Sequence, residues 1–238
     1  MLTITDVSLY DAFAPIYDEW SAHMTDDVAH YVRLAQETEG PLVELAVGNG
    51  RVAIPVARET GRRVLGIDAS RAMLEQARER AATAGVDLEL RVGDMRELEL
   101  DERAGLIYVP FRSLGHLPTW SDRLRVFERA HASLRAGGRF AWNFFVFDPR
   151  IAAANDGEWL EQNGIRYRID HAKHDNRVDI TLESGAAISL WWLNRSEWEG
   201  LIETAGFEIE ALYGGFDRQP FDESANEFVW VIRKPPEA

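Results

Sequence analysis

Short apolar runs alternate with amphipathic stretches along the chain as far as Pro149, and then the pattern changes. "PLVELAV" is a run suited to a buried strand, and "RRVLGID", "DLELRVGD", "AGLIYVPF" and "RFAWNFFVF" repeat the type. Between them stand helical periods. "GRVAIPVARETG" carries Pro55 inside the pattern, which predicts a late start or a bend. "SRAMLEQARERAATAG" is amphipathic, with Ser70 as cap and Gly85 as stop. "SDRLRVFERAHASLRAGG" reads as another capped helix ended by glycine. Upstream, "MTDDVAHYVRLAQETEG" has a Thr/Asp start and places Val28, Tyr31, Val32 and Ala35 on one face. Strands that alternate with helices at this spacing predict βαβ units and a parallel sheet covered on both faces.

Beyond Pro149, "IRYRIDHAKHDNRVDITLESGAAISLWWL" reads as two or three strands, with turns at His174-Asp175-Asn176 and Ser184-Gly185. "SEWEGLIETAG" returns to helix, with Ser196 as cap and Gly206 as stop. "FEIEALY" and "NEFVWVIRK" are separated by a stretch too short for a crossover helix, so they should pair antiparallel. The expected fold class is α/β: a Rossmann-like, doubly wound, mostly parallel seven-stranded sheet with a reversed terminal strand and an antiparallel β insertion. The expected organisation is a core over 1–149, an insertion over 150–195 and a return to the core sheet over 196–238.

Charge narrows the partners. There are 26 Lys+Arg against 40 Asp+Glu, a net charge of −14. A field of that sign repels phosphate backbones, so no nucleic-acid partner is expected. With no cysteine, disulfides and thiolate metal sites are excluded, and the histidines show no metal-ligand spacing. No stretch reaches bilayer length, so no membrane partner is expected and the cytoplasm is the default location.

The chemistry points to the first strand. "VELAVGNGR" leaves it through Gly48 and Gly50, which have no Cβ and let the backbone bend sharply and approach a ligand. In open parallel sheets ligands bind beyond the carboxyl ends of the strands, at the switch in strand order. Asp68 ends the second strand, 18 residues after Gly50, where a carboxylate can accept from both hydroxyls of a ribose. Asp94 ends the third. Gly48-x-Gly50-x-x-Ala53 also satisfies the dinucleotide fingerprint. The turn by itself therefore leaves two cofactors open, and Asp68 reads equally as a local cap.

The set as a whole resembles the class I S-adenosylmethionine-dependent methyltransferases of small-molecule type. "VELAVGNGR", "VLGIDAS", "LRVGDMREL", "LIYVPFRSLGHL" and "HASLRAGGRFAWNFF" are similar to that family's successive motifs. The resemblance implies S-adenosyl-L-methionine as cofactor. Glu44, Gly48 and Gly50 would lie at its methionine end and ribose, and Asp68 at the ribose diol with Ala69 beside it. Asp94 and Met95 would take the adenine, and the Val109 carbonyl the methionyl ammonium. Ala46 stands where the family most often has glycine and Asn49 where it often has threonine, so a small adjustment of the loop is expected. Two competing readings stay open: a nicotinamide-dependent oxidoreductase, and a non-catalytic protein that binds S-adenosylmethionine.

Methyl transfer is an in-line displacement, so a protein must align the nucleophile, exclude water and take up any proton released. His116, in "FRSLGHL", is the candidate base, with loop support as the plainer alternative. "YDAFAPIYDEW" sets Tyr10, Phe13, Tyr17 and Trp20 on one helical face. Tyr17 is expected at the methionine end and is the second catalytic candidate beside His116. Phe13 and Trp20 read as core packing or a subunit contact, which brings in a homodimer as an expectation. Phe111, Arg112, Asn143 and Trp192 are candidates for the acceptor side, and Arg218 for an anionic group. Asn143 reads equally as satisfying a buried backbone group. The expected activity is transfer of a methyl group to a nitrogen or oxygen of a small-molecule acceptor.

Overall fold

The computed structural model describes residue 11 and residues 13–22, 24–172 and 174–236. Tyr10 lies outside the described residues. Strands β1 (Leu42–Leu45), β2 (Val64–Asp68), β3 (Leu88–Val92), β4 (Ala104–Val109) and β5 (Leu134–Phe145) run parallel. A separate antiparallel sheet follows: β6 (Trp159–Gln162), β7 (Ile165–Ala172), β8 (Arg177–Leu182) and β9 (Ala187–Trp191). The chain then rejoins the first sheet with β10 (Glu208–Tyr213) and β11 (Glu227–Arg233). The order is β10-β11-β5-β4-β1-β2-β3, with β11 antiparallel to both neighbours. The expected seven-stranded sheet with its reversed terminal strand and the antiparallel insertion are both present.

All four residues of β1 and all six of β4 are buried, as a strand covered on both faces requires. One face packs Phe127, Phe140, Trp142, Trp198 and Trp230 with helices α5 (Trp120–Ser133) and α7 (Arg195–Thr204). The other packs Tyr31, Leu34, Leu42, Val56, Leu74 and Tyr108 with α2 (Asp26–Gln36), α3 (Ala53–Thr60) and α4 (Arg71–Ala84). The short α1 (Tyr17–Ser21) precedes these, and α6 (Pro149–Asn155) leads into the insertion.

Pro55 is the third residue of α3, in the first turn, where a missing N–H leaves no bond unmade, and the helix starts at Ala53, late in its stretch as expected. Several local expectations are corrected. Helix α5 is capped by Thr119, whose hydroxyl accepts the Asp122 amide. It passes straight into β5 at Leu134, so Gly137 and Gly138 lie in the strand and are not its stop. Helix α7 is capped by Asn194, not Ser196, in a reciprocal box with Glu197. On α2 the buried face is Asp27, His30, Tyr31, Leu34 and Ala35, rotated from the apolar face expected, because Asp27 finds an ion-pair partner inside. The insertion has four strands. The first hairpin turns at Asn163-Gly164, both left-handed, which is a two-residue hairpin signal the hydrophobic pattern did not reveal.

Alternation gives the insertion sheet two unlike faces. Tyr167, Ile169, Val178, Ile180, Ile188 and Leu190 share the inner face by register. Arg168, Asp170, Arg177 and Asp179 share the outer face and form ion pairs along the strands. The inner face turns toward the carboxyl ends of the main sheet. A Cβ added at Gly115, in the 3-10 turn Ser113–His116 after β4, would lie 3.1 Å from Leu190 Cδ2.

Candidate active site

β1 and β4 are neighbours although they are not consecutive in the chain, so the switch in strand order falls at the glycine turn. Gly48 and Gly50 both take positive φ, 55° and 80°. Ala46 does so as well, at φ 55°, where its methyl group is crowded by the following carbonyl. The family-typical glycine therefore has a local reason, and alanine holds the same backbone under strain. Ala46→Gly is expected to raise unfolding stability by on the order of 1 kcal/mol. A melting curve checks this: a rise of roughly 2–4 °C supports it, and an unchanged or lower midpoint contradicts it.

The turn is stapled to the second strand. Asp68 Oδ2 accepts the Gly48 amide at 2.8 Å and Oδ1 accepts the Ser70 amide at 2.8 Å. Burial raises the Asp68 pKa, against the pull of these amides. The helix cap is Ser70, whose hydroxyl accepts from Met73, and Ala69 is exposed beside it. Glu44 is 2 % exposed, and its Oε2 has no hydrogen-bond partner among the described residues. Burial lifts its pKa well above the ordinary carboxylate range, although the nearby Tyr108 hydroxyl and Arg51 oppose this.

Asp94 is half-buried and caps a 3-10 turn that begins at Met95. Burial raises its pKa, but the Arg96 fork and amide outweigh that and hold it below the usual value. Val109 is fully buried at the end of β4.

The amino-terminal segment lies across the turn. Asp18 accepts the Asn49 side-chain amide at 2.7 Å and pairs with Arg80. The Ala14 carbonyl accepts from Gln76 at 3.0 Å, and the Glu19 carbonyl accepts from Asn163 of the insertion at 3.0 Å. Tyr17 OH lies 4.0 Å from where a Gly48 Cβ would stand, and its ring meets Phe111 edge-on at 6.0 Å. Burial pushes its pKa up to about 12, so at neutral pH Tyr17 is a hydrogen-bond donor and not a base. Phe13 is core packing, and Trp20 meets Tyr167 of the insertion at 5.1 Å. An open cleft between α3 and α4, lined by Gly50, Arg51, Ile54, Glu79 and Arg80, lies beside the turn and contains none of the predicted carboxylates.

His116 ends the 3-10 turn after β4, and the Ser189 backbone in β9 holds its ring by a hydrogen bond. Burial lowers its pKa to about 4, so the value near 6.5 expected for a free imidazole does not apply. Trp192 stacks on Phe147 at 4.1 Å with the rings 4° from parallel, while Trp191 lies over Arg177 on the outer face. Three candidates are corrected. Asn143 is 1 % exposed, and both its amide oxygen and its amide nitrogen are bonded to protein groups, so it is closed to a substrate. Arg112 is neutralised by Glu227 at 2.8 Å. Arg218 is clamped on Glu37 at 2.7 Å. Arg51 was not anticipated: it follows the turn, pairs with buried Asp27 at 2.6 Å and lies 5.2 Å from the Phe111 ring centre.

A mostly parallel sheet with a bare turn at its switch point and acids at or near the ends of three successive strands is an arrangement suited to a nucleoside ligand. The comparisons agree. Residues 42–138 match the model of a methyltransferase domain. The chain is 28% identical to the 27-O-demethylrifamycin SV methyltransferase of Amycolatopsis mediterranei (strain S699), over 95% of this chain and 88% of that protein. The CcbJ methyltransferase of Streptomyces caelestis shares the fold at TM-score 0.79 and 24% identity, covering 95% of this chain and 96% of that one. An amino pentose methyltransferase from Micromonospora echinaspora, solved with S-adenosylmethionine bound, shares it at TM-score 0.66 and 19% identity, over 94% and 96%. The chain is a class I S-adenosylmethionine-dependent methyltransferase, and S-adenosylmethionine is its cofactor.

The residues present suit that cofactor. Glu44, whose buried Oε2 lacks a partner among the described residues and whose ionisation a nearby cation would favour, and Asp68 beside it suit a ligand that carries positive charge, as a sulfonium and an ammonium do. The family match and the relatives are methyltransferases, and the oxidoreductase reading is set aside. No helix among the described residues is long and apolar enough to cross a membrane.

Proposed function

We propose that this methyltransferase acts on a nitrogen or oxygen of a small-molecule acceptor held between the strand ends and the insertion sheet. The observation that carries this reading is the inner face of the insertion. Ile169, Ile180, Ile188 and Leu190 are only half-buried, on the face that meets the turn holding His116. Such a roof suits a largely apolar molecule and offers no cations to a nucleic acid. The relatives' names support it, one acting on 27-O-demethylrifamycin SV and another on an amino pentose. They leave nitrogen and oxygen both open.

Asp68 would hold the ribose diol, Asp94 and the Met95 amide the adenine, and Glu44 with the turn Ala46–Gly50 the methionine end. Ala69 would flank the ribose, and the Val109 carbonyl would accept from the ammonium. When bound, S-adenosylmethionine supplies an electrophilic methyl group on a cationic sulfur. Tyr17 donates a hydrogen bond and closes the site to water, and Phe111 and Trp192 bound the acceptor space. His116, held on the Ser189 backbone, takes up the acceptor's proton.

A pH profile tests the last point. With a pKa of about 4, His116 stays neutral at neutral pH, so its protonation limb is expected near pH 4 and the rate holds on acidification through pH 6.5. His116→Ala should lower turnover by ~10²–10⁴ with cofactor affinity kept. Near-normal turnover in the variant would leave alignment alone to carry the reaction. The acceptor class is tested by incubating the protein with methyl-labelled cofactor and a panel of amine- and hydroxyl-bearing metabolites, read by mass spectrometry. Label in a small apolar acceptor supports the reading, and label confined to protein or nucleic acid contradicts it.

A further inference from the structure

Immediately after β4, Phe111 and Arg112 both adopt left-handed backbone, with φ 58° and 64°. Neither is glycine, and an aromatic residue in this region is an outlier that the surroundings must hold. The holding group is a buried chain of polar side chains from three elements. Asn143 Oδ1, on β5, accepts the Phe111 amide at 3.0 Å and the Tyr31 hydroxyl of α2 at 3.0 Å. Asn143 Nδ2 donates to Glu227 Oε1 of β11 at 2.7 Å. Glu227 Oε2 accepts from Arg112 at 2.8 Å, and the Arg112 guanidinium lies 5.3 Å from the Phe145 ring centre. The amide of one strained residue and the side chain of the next are thus gripped from behind the sheet. The Phe111 ring they aim lies against Tyr17 and Arg51.

We propose that Asn143, with Glu227 and Tyr31, forms a positioning unit that locks the turn after β4 and so fixes Phe111 against the methionine end of the cofactor. The inference rests on the placement of the cofactor given above. The side chains act through the turn and touch neither cofactor nor acceptor. Their distribution has a mechanical consequence. Strand β11 is the reversed strand, and through Glu227 it fastens a loop that belongs to the parallel half of the sheet.

Calorimetric titration of the full chain with S-adenosylhomocysteine tests this. Asn143→Leu keeps the side-chain size and removes all three bonds. Leaving the Phe111 amide bare is expected to weaken binding ~10–100-fold. Asn143→Asp keeps the acceptor but sets a second carboxylate against Glu227. Binding should be weak at about pH 8 and recover toward wild type at about pH 5.5, as the two carboxylates come to share a proton. Tyr31 and Arg112 are the other groups that face this position.

A side chain that merely filled space would not produce the acid recovery. If Asn143→Leu does not fold, Glu227→Gln preserves the Asn143 bond and removes only the Arg112 pairing, with an expected loss of ~3–10-fold. Folded variants that bind like wild type, or a loss in Asn143→Asp that acid does not relieve, overturn the proposal. A wild-type chain that does not bind S-adenosylhomocysteine overturns the cofactor placement instead.

Discussion

Asp68→Ala should weaken binding of S-adenosylhomocysteine about a hundredfold or more. The Asp68 oxygens accept the Gly48 and Ser70 amides at 2.8 Å, with the Ala69 amide also on the carboxylate, and their remaining lone pairs let it staple the turn and receive a diol together. Hydrogen bonds to a charged group contribute roughly 1.5–3 kcal/mol each, so losing two passes a hundredfold in affinity. Asp68→Asn keeps the shape and removes the charge, and a loss of about tenfold is expected. An unchanged dissociation constant in Asp68→Ala by calorimetry would reduce Asp68 to a staple between the glycine turn and α4.

The second large effect is on stability. Asp27 is fully buried and takes both ends of the Arg51 guanidinium, at 2.7 and 2.6 Å, while Arg51 also donates to the Met24 carbonyl at 2.6 Å. Asp27→Ala leaves a mostly buried cation without its counter-charge, which costs about 3–5 kcal/mol. For a chain of this length the midpoint of thermal unfolding should fall by roughly 10 °C. The double variant Asp27→Ala/Arg51→Met removes the stranded charge and should recover much of the loss. A single variant within about 1 kcal/mol of wild type would show that Arg51 finds another partner or reaches water. Because Arg51 lies against Phe111 and next to the turn, the single variant should also weaken cofactor binding.

The parts of the fold that could be read from sequence were those set by local period. β1, β2, β4 and α4 came through because apolar runs and a Ser70/Gly85 pair are local signals. The reversed β11 was legible from the short connection before it. The first insertion hairpin carried a legible Asn163-Gly164 signal, but its strand β6 is only four residues long and half-exposed. Asp27 illustrates what local reading cannot reach. An acid at the start of a helix is ordinary, and only the fold brings Arg51 against it. Asn143 was singled out as a polar residue in an aromatic strand, yet its partners Tyr31, Phe111 and Glu227 lie 112, 32 and 84 positions away. The shift at His116 is likewise tertiary, since it comes from burial beneath the insertion.

The most direct test of the cofactor site is a pair of calorimetric titrations on the unmodified chain. S-adenosylmethionine or its demethylated product should saturate a single site per chain, and NAD and NADP should give no saturable heat. Saturable nicotinamide binding with none for S-adenosylmethionine would contradict the assignment of the Glu44–Asp68 turn to a cationic nucleoside.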